Sequence, residues 1–161
     1  MSRLTAVSLA TILTVSVSST LASAQTDDQA KAIAVKVTTA GAAIFDTKDA
    51  KAMAATYTDD AQLQWITRNK ESSAIETETK RGRAEIEAFY VDVFKGNDPF
   101  HAKNAVEYAR WISDDLLMIA GVFTPDSQAP EPLKLPFVQV RIRQGDAWRI
   151  MSLQVFFAPK N

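Results

Sequence analysis

The carboxylate pairs Asp59-Asp60 and Asp114-Asp115 and the single histidine, His101, have the types and spacing that could move protons. Two neighbouring carboxyls can act as acid and base when their surroundings split the two pKa values, and a lone imidazole titrates near neutral pH. Both pairs, however, fall at element boundaries, where Asp serves turns and caps. His101 follows Asp98-Pro99 at the start of a strand, a rim position with no carboxylate at ligand spacing, and alone it cannot make a His-rich metal site. The chain has no Cys, which removes thiol redox chemistry and thiolate zinc sites. No catalytic set, metal site or cofactor is assigned from these residues.

The polar groups that remain need elements to aim them. Asp27-Asp28 opens a first helix and suits its N-terminal dipole, and Ile33, Val37, Ala40 and Ile44 recur as one stripe. After Phe45-Asp46-Thr47-Lys48, Asp49 caps a second helix in which Ala50, Met53, Ala54 and Tyr57 share a face. Asp59-Asp60 ends it, and Ala61 to Thr67 reads as a strand. The polar run from Arg68 to Arg81 contains the alternation Ile75-Glu76-Thr77-Glu78-Thr79-Lys80, an exposed edge ribbon protected by its charges. Gly82 precedes a third helix, Arg83 to Lys95, that buries Ile86, Phe89, Tyr90, Val93 and Phe94 and stops at Gly96-Asn97.

Four strands follow, over Ala102–Ile112, Leu116–Thr124, Leu133–Arg143 and Ala147–Phe157, with turns at Ser113-Asp114-Asp115 and Gln144-Gly145-Asp146. Four of the six prolines lie between Pro125 and Pro136, in a stiffened loop. Helices first and antiparallel strands afterwards mark an α+β domain. The expected shape is a cone-shaped barrel, three helices packed in the concave face of a strongly curved, mostly antiparallel sheet.

Alternation places Trp148, Ile150, Ser152, Gln154 and Phe156 on the inner wall of the last strand and Leu63 and Trp65 on that of the first, with Tyr57 and Tyr90 closing over them from helices. An apolar wall with a few fixed polar groups is the usual make-up of a small-molecule site. Gln154 is the sharpest candidate, because a polar group on an apolar face needs a partner. The opposite face of the last strand carries Arg149, Met151, Leu153, Val155 and Phe157, and Leu116–Thr124 is apolar on both faces. An antiparallel sheet with one wet face alternates, so these residues predict a homodimer through the convex face of the sheet.

Residues 1–24 read as a secretory signal peptide: Arg3, an apolar run from Leu4 to Val17, and Ala22-Ser23-Ala24 before Gln25. Residues 25–161 then form a single domain, periplasmic or secreted, with no membrane span after cleavage. Removal of the leader takes one base and no acid, moving the net charge from −1 to −2. Without a basic cluster, nucleic acid is not an expected partner.

The segments Phe45-Asp46-Thr47-Lys48-Asp49, Tyr57-Thr58-Asp59-Asp60-Ala61, Gly82-Arg83-Ala84-Glu85-Ile86 and Gly145-Asp146-Ala147-Trp148-Arg149-Ile150, in this order, resemble the nuclear transport factor 2-like superfamily. Within it they are most similar to the SnoaL-like and calcium/calmodulin-kinase association-like branch. The resemblance implies a cone with an apolar pocket, used by isomerases, dehydratases, cyclases and binding proteins alike, so function must be argued from the site. Aligned through those segments, the oxyanion-holding Tyr of ketosteroid isomerases falls at Gly41, the base at Trp65, and the second acid near Val138 or Gln139. None carries the required group, and a scytalone-dehydratase-like site would need paired His residues. The candidate ligand-binding set is Tyr57, Trp65, Tyr90, Gln139, Ser152 and Gln154. The leading expectation is an exported protein that binds a small apolar molecule without turnover. The alternatives are an isomerase, cyclase or dehydratase using an unrecognised acid, aided by water held at Gln154 or Gln139, and a non-catalytic dimerisation module.

Overall fold

The computed structural model describes residues 26–69, 71–96 and 100–157; the expected leader, residues 1–24, lies outside them. Helix α1 spans Asp27–Asp46, α2 Ala50–Ala54 and α3 Gly82–Val93. The strands are β1 Tyr57–Arg68, β2 Ile75–Arg81, β3 Lys103–Ser113, β4 Leu116–Thr124, β5 Leu135–Gln144 and β6 Ala147–Phe157. They form one six-stranded sheet in the order β2-β1-β6-β5-β4-β3. All neighbours are antiparallel except β1 and β6, which run parallel. The fold is the expected α+β cone with its helices on one face, but the sheet stays open between β2 and β3 and closes no barrel.

Helix α1 begins with a capping box: Thr26 Oγ1 accepts from the Gln29 backbone N–H at 3.3 Å, and Gln29 Oε1 accepts from the Thr26 N–H at 3.1 Å. Its buried face is Ala30, Ala34, Thr38, Ala42 and Phe45, with Ile33, Val37 and Ile44 only half-buried beside it and Ala40 exposed. The expected stripe is thus rotated. Small residues face β3, letting the helix axis come close to the sheet, and the larger apolar side chains fill the flanks. The side chain of Asn104 on β3 reaches the helix directly, its Nδ2 donating to Thr38 O at 2.8 Å.

The cap at Asp49 forms as expected, Oδ1 accepting from Ala52 N–H at 2.8 Å, but α2 lasts a single turn. Tyr57 is the first residue of β1 rather than a helical one, and Asp59-Asp60 lies inside that strand rather than at its border. The cause is β6. Ile150 N–H donates to Thr56 O at 2.9 Å and Tyr57 pairs with Ile150, so the chain is extended as soon as the turn ends. Asp59 is accounted for by an ion pair with Arg83 at 2.8 Å. Asp114-Asp115 occupies the β3–β4 turn, its expected structural place.

Four register shifts interrupt the sheet, at Tyr57/Gln62, Val106/Tyr108, Trp111/Ser113 and Val140/Arg141, and two of them bear on the cavity. On β3, Val106 pairs with Gly121 and Tyr108 with Ala120, leaving Glu107 as an extra residue. On β6, Ile150 pairs with Arg141 and Ser152 with Val140, leaving Met151 extra. Each bulge sharpens the local twist and reverses the faces of the residues beyond it.

Candidate functional site

The helices and the concave sheet enclose a half-open cavity of about 410 Å³, within the usual range of roughly 300–1,000 Å³ for small-molecule pockets. Phe45 from α1, Phe89 and Tyr90 from α3, Trp65 from β1, Phe123 from β4 and Phe137 from β5 supply much of its wall. Trp65 does not plug the space. It stands in the wall, stacked on Phe157 with ring centroids 6.1 Å apart, and 6.4 Å from Phe89.

Of the six candidate residues, the structure brings Tyr57, Trp65, Tyr90 and Gln139 to this cavity. Ser152 and Gln154 do not line it. The bulge at Met151 turns β6 over, so Ile150, Leu153 and Val155 face the cavity while Ser152 and Gln154 point to the convex side. Gln154 Nε2 donates there to Gln64 Oε1 at 2.9 Å, which supplies the partner its half-burial demands. The expected convex placement of Leu153 and Val155 is corrected by the same bulge. Gly41, Trp65 and Gln139, the positions at which the resemblance would place catalytic groups, all line the cavity, whereas Val138 faces outward.

The polar floor contains a residue not anticipated from sequence. Arg141 on β5 is 5% exposed and lines the cavity. Its Nε donates to Gln139 Oε1 at 2.7 Å and its Nη1 to Trp148 O at 3.2 Å, both uncharged acceptors. Beside it, the hydroxyls of Tyr57 and Tyr90 stand 2.7 Å apart. The signal was present: with Phe137 and Gln139 inward, alternation carries Arg141 inward as well.

Burial, then the neighbouring Tyr90, holds the Tyr57 hydroxyl well above the ordinary phenol range, and burial pushes Tyr90 up to about 12. Burial also pulls Arg141 down to about 10, so it remains a cation at neutral pH. These are donors, not bases. The one carboxylate of the lining, Glu78, lies on the edge strand and pairs with Lys80 at 2.7 Å. His101 Nδ1 lies 3.3 Å from Asp126 Oδ1 without hydrogen-bond geometry, in the loop beyond Phe100. Among the described residues, no cluster of three or more His, Asp or Glu side chains is arranged to hold a metal ion.

The buried hydroxyls predict an alkaline weakness. Unfolded tyrosines ionise near pH 10, whereas Tyr90 keeps its proton to about 12 and Tyr57 also holds its own longer than an exposed phenol. The unfolded state therefore loses these protons first, and stability falls as pH rises above 10. Arg141 opposes this, since burial lets its folded form release a proton at about 10, well below the range of an exposed guanidinium. Two tyrosines outweigh one arginine. Urea unfolding should show lower stability at about pH 11 than at about pH 9, and the double variant Tyr57→Phe/Tyr90→Phe should remove that fall.

No family model matches the chain, and no curated protein matches it in sequence. The solved structures it is similar to share its fold. A nuclear transport factor 2-like protein of unknown function from Shewanella oneidensis superposes with a TM-score of 0.61 at 15% identity, over 76% of this chain and 95% of that one. A domain of unknown function with a cystatin-like fold from Nostoc punctiforme gives 0.59 at 18% identity, over 81% and 78%. A ketosteroid isomerase-like protein from Erwinia carotovora gives 0.52 at 16%, over 77% and 93%. The chain has the nuclear transport factor 2-like fold.

Proposed function

We propose that this chain is an exported small-molecule-binding protein that receives an apolar or aromatic ligand in the concave cavity. The observation that carries the reading is a half-open aromatic pocket whose polar floor is Arg141, the Tyr57–Tyr90 hydroxyl pair and the Gln139 amide, with no carboxylate or imidazole among them. A floor of this kind can hold and orient a ligand, but it carries no general base to remove a proton from one. Export rests on Arg3, the apolar run and Ala22-Ser23-Ala24; N-terminal sequencing of the exported protein should begin at Gln25, and an intact Met1 in a membrane fraction would count against it. Native mass spectrometry of protein purified from its own host is the direct test of binding. A retained small-molecule adduct that is lost on denaturation is expected, and a bare chain from a host that makes the protein in quantity would argue for an assembly module.

A second reading is favoured by one feature. The Tyr57 and Tyr90 hydroxyls and Arg141 share the cavity and could together stabilise an oxyanion, as an isomerase, cyclase or dehydratase requires. That reading needs a base, and the lining offers Glu78 alone, at the exposed margin. Turnover abolished by Glu78→Gln would establish it.

The protein is also proposed to be a homodimer through the convex face of the sheet. With β6 inverted, that face is carried by Met118, Ala120 and Val122 of β4 and Val138, Val140 and Ile142 of β5, flanked by Tyr108, which is 46% exposed. An apolar surface of this breadth is unusual on a monomer. Light scattering at micromolar concentration should give the mass of two chains, and Val138→Asp should reduce it to one. Wild-type protein with the mass of one chain would reject the dimer.

A further inference from the structure

We propose that the cavity binds a small carboxylate with an apolar or aromatic body, its anionic head seated on the Arg141 guanidinium. The inference deepens the binding reading and rests on it.

Arg141 is a buried cation without an anion. None of the ion pairs among the described residues includes it, and the titratable groups beside it are the hydroxyls of Tyr57 and Tyr90, which are uncharged at neutral pH. A desolvated charge left unpaired is costly, and proteins place one where a partner arrives to compensate it. Two of its three nitrogens are already fixed by Gln139 and Trp148 O, which orient the guanidinium plane rigidly. Nη2 has no such partner. It lies toward Gly41, 4.0 Å from where a Cβ on that glycine would stand, so the missing side chain leaves the approach to it open from the cavity.

The neighbouring hydroxyls complete a head-group site. Tyr57 and Tyr90 have two protons between them and one is used in their mutual hydrogen bond, which leaves one O–H for a ligand oxygen. The planar fork of an arginine suits a carboxylate. The charge of the ligand is set by what else lines the space. Arg141 is the one cation of the lining and its one carboxylate, Glu78, is already paired with Lys80, so a monoanion is balanced and a dianion such as a phosphate monoester is not. Phe45, Phe123, Phe137 and Leu153 then face the ligand's apolar body.

The test compares 2-naphthoate with 2-naphthamide, a neutral probe of nearly the same shape, by isothermal titration against the full chain. The carboxylate should bind about tenfold or more tightly than the amide, as a charge-assisted pair in a buried site requires. Arg141→Met should erase that preference and leave both probes at the level of the amide. Arg141→Lys, which keeps the charge without the fork, should retain a weakened preference. Equal affinity of the two probes for the wild-type chain would overturn the carboxylate assignment while leaving the binding reading intact. Failure of both probes and of 2-methylnaphthalene to bind would overturn the binding reading itself. The wild-type comparison decides the matter even if Arg141→Met does not fold.

Discussion

Phe45→Ala is expected to destabilise the protein by about 3–5 kcal/mol, the range for emptying a buried aromatic site. Phe45 is 6% exposed at the C-terminal end of α1 and is the hub of the aromatic cluster. Its ring meets Phe100 at 4.8 Å, Phe94 and Phe123 at 5.0 Å and Tyr90 at 6.4 Å between centroids. These partners come from α3 and the residue after it, from β4 and from the loop before β3, so one side chain ties α1, α3 and the β3–β4 end of the sheet together. It also lines the cavity, and its removal should enlarge the ligand space as well as weaken the fold. Phe45→Leu, which keeps most of the volume, should cost markedly less. Urea unfolding of the two variants checks the order, and a loss below about 1 kcal/mol for the alanine would show that the cluster repacks without its hub.

Gly121→Ala should be destabilising out of proportion to the single methyl group it adds. A Cβ at this position would stand 2.2 Å from Ala105 O and 3.1 Å from Ala105 C. The obstruction is backbone, so it cannot swing aside; β3 and β4 would have to part beside the bulge at Glu107. Overpacking of this kind costs about 1–3 kcal/mol and more where the backbone must move. Gly96→Ala, with nothing within 4 Å, is the control and should lie within about 0.5 kcal/mol of wild type. Hydrogen exchange should locate the damage of Gly121→Ala at the β3–β4 ladder rather than over the whole sheet.

Most of the architecture was legible because its signals are local. The β4 and β6 spans follow from apolar runs closed by Asp-Asp and Gly-Asp turns, and the edge character of β2 follows from its alternating charges. What escaped were features imposed by distant partners. The start of β1 at Tyr57 depends on the pairing with Ile150, far away in sequence, and the Thr-Tyr-Thr run is compatible with either a helix end or a strand start. The rotation of α1 depends on how near β3 lies, because both the Ala30–Ala42 face and the Ile33–Ile44 face have helical period. The bulge at Met151 carries no Gly or Pro to announce it, and a single extra residue was enough to send Ser152 and Gln154 outward. The cavity itself was anticipated in its aromatic wall and in Tyr57, Trp65, Tyr90 and Gln139. Its charge was not, since an arginine near the end of a strand reads as solvated until the fold shows what covers it.

The parallel pairing of β1 with β6 also bears on how the chain reaches its native state. A ribosome delivers β1 and β2 early, yet the strand that joins them to the rest of the sheet is the last to emerge. Until then the β1–β2 hairpin has a free edge, Tyr57 has no neighbour across the sheet, and the cavity has no floor joining its two halves. Non-local pairings of this kind pay loop-closure entropy before they return any contact energy, which slows folding and prolongs the unfinished state. Until β6 arrives the sheet is in two pieces, and that strand acts as the keystone that makes them one.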